Sequence, residues 1–227
     1  MRDRLARVTA AVLGCLVENP QPMRQTEIAI AVEATQARVS QVLDETDRSG
    51  LTARSRQGWQ VTHPATAFDT CVSQISRRTT LAGWYSLESG PQQIESCIDT
   101  AQRNEAEYRV SGDWAADRLA PWRIPRLAII HTDRHLDLET AGFVPSELGD
   151  ATLLTALGPI LQQWRTDPRI ATHMAGSPTT DWHFAPVHDI AHQILAAGGP
   201  DATEAVSELR DRFLTARAAL AAGAQSA

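Results

Sequence analysis

The sequence predicts an α+β fold, in which a helical N-terminal domain with a β-hairpin precedes a mixed α/β C-terminal domain. Three helical patterns and a hairpin pattern fill residues 3–62, and strand and helix patterns alternate in the rest of the chain. A length of 227 residues accommodates two small domains. We therefore predict one domain at residues 1–80, with a connecting helix at its end, and a second domain at residues 81–227.

The charge balance differs between the two predicted domains. Residues 1–80 hold ten Arg and eight acidic residues, a net charge of +2, whereas residues 81–227 hold eleven Arg and nineteen acidic residues, a net charge of −8. Because the phosphate backbone of nucleic acids attracts positive charge, this asymmetry indicates that the first domain is the one that faces nucleic acid.

Other features of the sequence argue against several classes of protein. The apolar runs are shorter than the ~20 residues of a membrane-spanning helix, and the N-terminus lacks the pattern of a signal peptide. Cys15, Cys71 and Cys97 are far apart and odd in number, which argues against a disulfide framework or a Cys zinc site. We therefore expect a cytoplasmic protein with no membrane partner.

The first two helices are predicted from periodicity and capping residues. Apolar residues at intervals of three and four predict a helix over residues 3–18, and Pro20 follows its end. Thr26 is a good N-cap for a short second helix, and Glu27 in the first turn suits the helix dipole.

A third helix and a hairpin complete the first domain. Thr35 is the predicted N-cap of a helix that runs to about Ser49, with Gly50 as its C-cap. Alternating residues on both sides of a Gln57–Gly58 turn predict a short β-hairpin. A connecting helix over residues 63–78 follows the hairpin.

This order of elements is typical of a winged helix-turn-helix, in which the third helix enters the major groove of double-stranded DNA. Arg side chains pair with guanine and Gln side chains with adenine in that groove, while Arg residues on the hairpin reach phosphates or the minor groove. The predicted DNA-binding residues are Arg24, Thr35, Gln36, Arg38, Ser40, Gln41, Arg54 and Arg56. The alternative is a winged helix that serves as a protein-interaction module.

The second domain mixes strand and helix patterns. The predicted elements are a helix over residues 91–108, a strand over 108–112, a helix capped by Asp113, strands over 126–132 and 150–157, a helix that ends at Gly198 and Gly199, and a helix over 200–220. The region around Trp164 gives no clear pattern. This mixture predicts an α+β or α/β domain.

His188 and His192 in the second domain have a spacing that is typical of a metal site. Four residues apart on a helix, both imidazoles could reach one ion. However, the motif HDIAH lacks the glutamate that serves as the base in metalloproteases, and further ligands are not evident. We therefore predict no metal, no cofactor and no catalytic residue.

Two segments of the second domain carry a resemblance to a known family. The first matches at Ser111, Gly112, Ala115, Ala116, Leu119, Ala120 and Pro121, and the second at Gly198, Gly199, Asp201, Glu204 and Ala205. Together with the N-terminal pattern, they resemble the AbiEi-type antitoxins of type IV toxin–antitoxin systems and related bacterial transcriptional regulators. His192 departs from the family, which often has an acid there. The resemblance implies an operon-binding repressor whose second domain opposes a nucleotidyltransferase-like toxin or has diverged, and it implies no enzymatic activity.

The sequence thus predicts a sequence-specific DNA-binding transcriptional regulator, an antitoxin-like autorepressor that opposes a nucleotidyltransferase-type toxin. Its expected partners are double-stranded DNA and a cognate toxin. One alternative is a transcriptional regulator whose acidic second domain senses a small ligand. Another is a metal-dependent enzyme with a fused winged helix, which would use His188, His192 and a carboxylate.

Overall fold

The computed structural model describes residues 2–74, 80–160, 164–177 and 182–223, and it has the predicted α+β architecture. The first elements are α1 (Arg2–Glu18), α2 (Gln25–Ala31), α3 (Gln36–Arg48), β1 (Thr52–Arg54), β2 (Trp59–Val61) and α4 (Pro64–Gln74). Strands β1 and β2 form the predicted antiparallel hairpin. The connecting helix is present as α4, and residues 75–78 of that prediction lie outside the described residues.

A five-stranded sheet and several helices make up the rest of the chain. The elements are β3 (Thr80–Tyr85), α5 (Gly90–Arg103), β4 (Tyr108–Ser111), α6 (Gly112–Leu119), β5 (Ala128–Thr132), a 3₁₀ turn (Glu139–Ala141), β6 (Val144–Ser146), β7 (Leu153–Leu157), α7 (Pro168–Ala175), α8 (Val187–Ala197) and α9 (Ala202–Gly223). The strand order is β4-β5-β7-β3-β6, in which only β5 and β7 are parallel among the described pairs.

Two strands and one helix of this half were not predicted. Strand β6 has Pro145 at its centre, and proline weakens a strand pattern although it is tolerated at the edge of a sheet, where β6 lies. Helix α7 begins at Pro168, and the carboxylate of Asp167 accepts a hydrogen bond from the amide of Arg169 (2.8 Å). Asp167 followed by Pro168 is the signal in the sequence for the start of this helix. Strand β3 is the other missed strand.

Two predicted capping residues are wrong. Helix α2 begins at Gln25, so Arg24 is its N-cap and Thr26 already lies inside the first turn. Helix α6 begins at Gly112, so Ser111 is its N-cap, and Asp113 lies in the first turn. The carboxylate of Asp113 is instead engaged by Arg123, whose Nη2 approaches it to 2.5 Å.

Most of the buried apolar residues that the structure describes belong to one cluster, which includes both halves of the chain. Helix α1 packs against α3, β2 and α4. Helix α4 packs in turn against α8 and α9, where the rings of Phe68 and Phe213 lie 5.5 Å apart. At the surface, Arg210 of α9 donates two hydrogen bonds to the carboxylate of Asp69 in α4 (2.7 and 2.9 Å). The division into domains at residue 80 stays a prediction.

Candidate nucleic-acid interface

The start of α3 is fixed by two hydrogen bonds. Thr35 Oγ1 accepts from the backbone amide of Arg38 (3.3 Å), so Thr35 is the N-cap that the sequence predicts. The side-chain amide of Gln25 donates to the carbonyl of Gln36 (3.0 Å) and ties the start of α2 to the start of α3. The first turn of α3 is therefore held in place by its neighbour.

The turn between α2 and α3 has the hydrogen bonds of a Schellman motif. The amide of Ala34 donates to the carbonyl of Ala29 (3.0 Å), and the amide of Glu33 donates to the carbonyl of Ile30 (3.2 Å). Glu33 has a φ of 48°, the left-handed conformation that this motif requires. The end of α3 uses the same motif with Gly50 at the equivalent position, where φ is 74°. Both turns thus set the direction of the chain on either side of α3.

Helix α3 buries one face and exposes polar side chains on the others. Its buried residues are Val39, Val42, Leu43 and Thr46. Since each residue advances about 100° around a helix, Gln41 points away from this face, while Arg38 and Ser40 lie on opposite edges of it. In agreement, Gln41 is exposed and the two edge residues are half-buried.

Arg38 and Gln41 are joined by a hydrogen bond. Arg38 Nη1 donates to Gln41 Oε1 over 2.9 Å. The pair is one helical turn apart, so the contact belongs to a single face of α3. Ser40 lies on the other edge and takes no part in it.

Charge is distributed unequally along α3. The first half carries Arg38, whereas the second half exposes Asp44, Glu45 and Asp47. Acidic side chains are repelled by phosphates, so a nucleic acid in contact with α3 gains most from its N-terminal half. Arg48 is the last residue of α3, and its Nε donates to the carbonyl of Asp44 (3.0 Å).

The hairpin lies beside α3 and is attached to the segment before α2. Met23 and Trp59 exchange two backbone hydrogen bonds (2.9 and 2.7 Å), which add a third short chain segment to β1 and β2. Gly58 permits this contact, because a Cβ at that position would lie 2.4 Å from the carbonyl oxygen of Met23. The hairpin therefore has a fixed position relative to α2.

The two predicted arginines of the hairpin differ in their surroundings. Both are exposed. The guanidinium carbon of Arg54 lies 6.0 Å from the ring centroid of Trp59, at the outer limit of a cation–π contact. Arg56 has no hydrogen bond or ion pair among the described residues. Arg56 is accordingly the more available of the two for an external anion.

Arg24 also lies on this part of the molecule. It is exposed at the N-cap position of α2, and its backbone amide donates to the carboxylate of Glu27 (2.7 Å). The structure therefore brings Arg24 and Thr35, with Gln36, Arg38, Ser40 and Gln41, to two helices joined by one turn. Arg54 and Arg56 lie on the adjoining hairpin.

The imidazoles of His188 and His192 contact different residues. His188 Nδ1 lies 3.2 Å from Glu18 Oε1, and His192 Nδ1 lies 2.9 Å from the carbonyl oxygen of Val72. Gly14 of α1 lies against His188, since a Cβ there would come within 2.8 Å of His188 Nε2. Within the described ranges, no group of three or more His, Cys, Asp or Glu side chains is arranged to hold a metal ion. Both histidines instead join α8 to the first half of the chain.

Glu18 is the central residue of this junction, and the sequence interpretation missed it. Its Oε1 accepts a hydrogen bond from the backbone amide of Val187 (2.7 Å) besides facing His188. Burial raises the pKa of the Glu18 carboxyl above its usual range, and the contacts with His188 and Val187 offset part of that rise. The sequence does hold a signal for this role. Glu18 follows Cys15 by three residues, which places its carboxylate on the apolar side of α1.

Arg217 holds the end of α1 from the other side. Its Nε donates to the carbonyl of Val17 (2.9 Å), and its Nη2 donates to the carbonyl of Asn19 (3.1 Å). The last carbonyl groups of a helix have no partner within the helix, so this side chain from α9 serves as a cap. The orientation of α1 is thus set by residues from α8 and α9.

The two segments that carry the family resemblance meet in the structure. Arg123 contacts Asp113 in α6, Asp201 before α9 (3.0 Å) and the carbonyl of Gly198 (3.3 Å). A single guanidinium therefore joins the segment that begins at Ser111 to the segment that begins at Gly198. Gly198 and Asp201 are the matched residues that take part in this junction.

In the part of the chain that the structure describes, no helix combines the length and the apolar character needed to cross a bilayer. A scan against protein-family models, a search of curated proteins and a search of solved structures each found no match. The assignment to the winged-helix class and the resemblance to AbiEi-type antitoxins therefore stay predictions, and the function rests on the geometry of the chain itself.

Proposed function

We propose that this chain is a cytoplasmic, sequence-specific DNA-binding transcriptional regulator, in which the N-terminal half of α3 enters the major groove. The observation that carries the proposal is the polar N-terminal face of α3, which Thr35 and Gln25 fix and which carries the half-buried Arg38 beside the exposed Gln41. A recognition helix needs a fixed orientation and side chains that reach base edges near its N-terminus.

The hairpin supports the same proposal. Exposed Arg54 and Arg56 lie on the element that follows α3, and β1 packs beside α3. Guanidinium groups there neutralise phosphates next to the groove that α3 occupies. This function is binding alone and requires no catalytic group.

Repression in cells tests the proposal. A reporter gene under the control of the protein's own upstream region should be repressed by the full-length chain. Replacing Arg38 and Gln41 together by Ala should relieve that repression, because both side chains face the groove in the proposed complex. The control is Arg118→Ala, which removes one exposed Arg from α6. Equal repression by all three proteins would contradict the assignment of α3.

We further propose that the second half opposes a nucleotidyltransferase-type toxin encoded nearby. This half has a net charge of −8, which disfavours contact with nucleic acid and leaves its surface free for a protein partner. Tyr85 in β3 and Val144 in β6 are cross-strand partners, and they are 42% and 57% exposed. Two adjacent exposed apolar side chains at the edge of a sheet offer a protein partner an apolar contact.

Growth of cells that express the neighbouring nucleotidyltransferase tests this second part. The full-length chain should restore growth. Replacing Tyr85 and Val144 by Ser should weaken rescue and leave repression of the reporter unchanged, because these residues lie far from α3 in the chain and outside the proposed DNA interface. Failure of the wild-type chain to restore growth would contradict the antitoxin role while leaving the regulator role intact.

A further inference from the structure

We propose that Arg38 and Gln41 act as one unit that selects guanine in the major groove and discriminates against adenine. The inference rests on the proposed DNA-binding function and adds the base that α3 reads. It comes from the hydrogen bond in which Arg38 Nη1 donates to Gln41 Oε1 over 2.9 Å.

The hydrogen bond determines which groups the pair offers to a base. The amide of Gln has one acceptor oxygen and one donor nitrogen, and it reads adenine only when both are available. In this structure, one of the two lone pairs of the Gln41 oxygen accepts from Arg38, which turns that oxygen towards the guanidinium. The pair otherwise offers the NH₂ group of Gln41 and the other N–H groups of Arg38, so its donors outnumber the one lone pair that remains.

A surface that offers mainly donors matches guanine best. Guanine presents two acceptors, N7 and O6, in the major groove, whereas adenine presents one acceptor and one donor, and cytosine presents a donor. A donor on the base would face a donor on the protein, and both would lose their water without gaining a partner. Thymine, with one acceptor, is the second choice.

The position of the pair on α3 suits this role. The backbone amide of Arg38 donates a hydrogen bond to Thr35 Oγ1 (3.3 Å), so the Cα of Arg38 lies in the first turn of a capped helix. Gln41 then fixes the direction of the guanidinium one turn further along. Ordering an Arg side chain before binding reduces the entropy lost on contact, which increases its discrimination.

Duplexes that differ in single atoms test the inference with the full-length protein. A pool of duplexes with randomised positions is first selected for binding, and the enriched base pairs are identified. We expect one strongly enriched guanine. Replacing that guanine by 7-deazaguanine removes the N7 acceptor and keeps the base pair, so the affinity of the wild type should fall roughly ten-fold or more.

Variants assign the effect to the pair. Arg38→Ala should bind the guanine and 7-deazaguanine duplexes equally. Gln41→Glu keeps the acceptor that orients Arg38 and should retain the preference for guanine with weaker overall binding, because a carboxylate is repelled by phosphates. Arg48→Ala, which removes the same charge from the last turn of α3, should keep full discrimination.

The outcomes separate the inference from the function on which it rests. Selective binding with adenine enriched, or guanine discrimination that survives Arg38→Ala, would overturn the inference and leave DNA binding in place. Binding by the wild type without any sequence preference would overturn the proposed function and the inference together.

Discussion

At the scale of single residues, the sequence identified side chains but not their partners. The capping role of Thr35 was predictable, because an N-cap depends on the few residues that follow it. The bond between Arg38 and Gln41 was not, because it depends on the rotamers of two long side chains. The contact of Glu18 with His188 joins residues 170 positions apart, and no local pattern encodes such a pair.

Glu18 shows how burial turns one residue into a determinant of stability. The carboxyl is buried and its Oε2 has no hydrogen-bond partner among the described residues. Because burial raises its pKa in the folded state, the neutral form is favoured there. A raised carboxyl pKa contributes stability that is fully present below the unfolded-state pKa and is lost as pH rises through the folded-state value.

We therefore predict a pH-dependent effect of Glu18→Gln. Gln keeps the acceptor for the amide of Val187 and cannot become charged, so the variant should gain stability relative to the wild type as pH rises above the usual range of a Glu carboxyl. Urea unfolding midpoints from about pH 4.5 upward measure this difference. Glu95→Gln, an exposed change on α5, is the control. A constant difference across the pH range would contradict the assigned direction.

At the scale of elements, helices with strong periodicity and the hairpin were predicted closely. Helix α3 begins and ends within one residue of its predicted limits, because Thr35 and Gly50 mark both ends in the sequence. Strand β6 was missed because three residues with a central Pro give almost no strand signal. Strand β3 exposes Leu81 and Tyr85 and buries Gly83, so its apolar side chains do not mark a buried face.

The two arginines of the hairpin should contribute to the salt dependence of DNA binding. Each lost phosphate contact should lower the salt dependence of log K by about 0.9. Removing both arginines of the hairpin, Arg54→Ala and Arg56→Ala, should therefore reduce the slope by up to about 1.8 with little change in sequence preference. Titrations at several salt concentrations measure the slope.

Arg118→Ala is the matched control for charge, and its slope should equal that of the wild type. If the double variant on the hairpin and the control have the same slope, the hairpin does not contact phosphates. A change in base preference instead of slope would place these arginines at base edges.

At the scale of the whole molecule, the sequence did not predict how the two halves meet. Helices α1 and α4 pack against α8 and α9 through Phe68, Phe213 and their neighbours, and Arg217 caps α1. Periodicity identifies the apolar face of each helix, but any apolar face can pack against any other. The partner of each face is decided by the complete fold.

This packing predicts that the halves unfold together. Phe213→Ala removes a fully buried ring and should lower the free energy of unfolding by about 3–5 kcal/mol. Because Phe213 contacts Phe68, hydrogen exchange should accelerate in α4 as well as in α9. Leu195→Ala, at a position 42% exposed on α8, is the control and should change little. Acceleration confined to α9 would mean that the two halves unfold separately.

The most direct test of the central claim is the affinity of the purified full-length protein for its own upstream duplex compared with a scrambled duplex. At one fixed salt concentration near physiological, the wild type should prefer its own duplex by about 10³-fold or more. Replacing Arg38 and Gln41 by Ala should remove most of that preference while weaker, non-specific binding remains. Equal affinity of the wild type for both duplexes, or an unchanged preference in the variant, would contradict the assignment of α3 as the recognition helix.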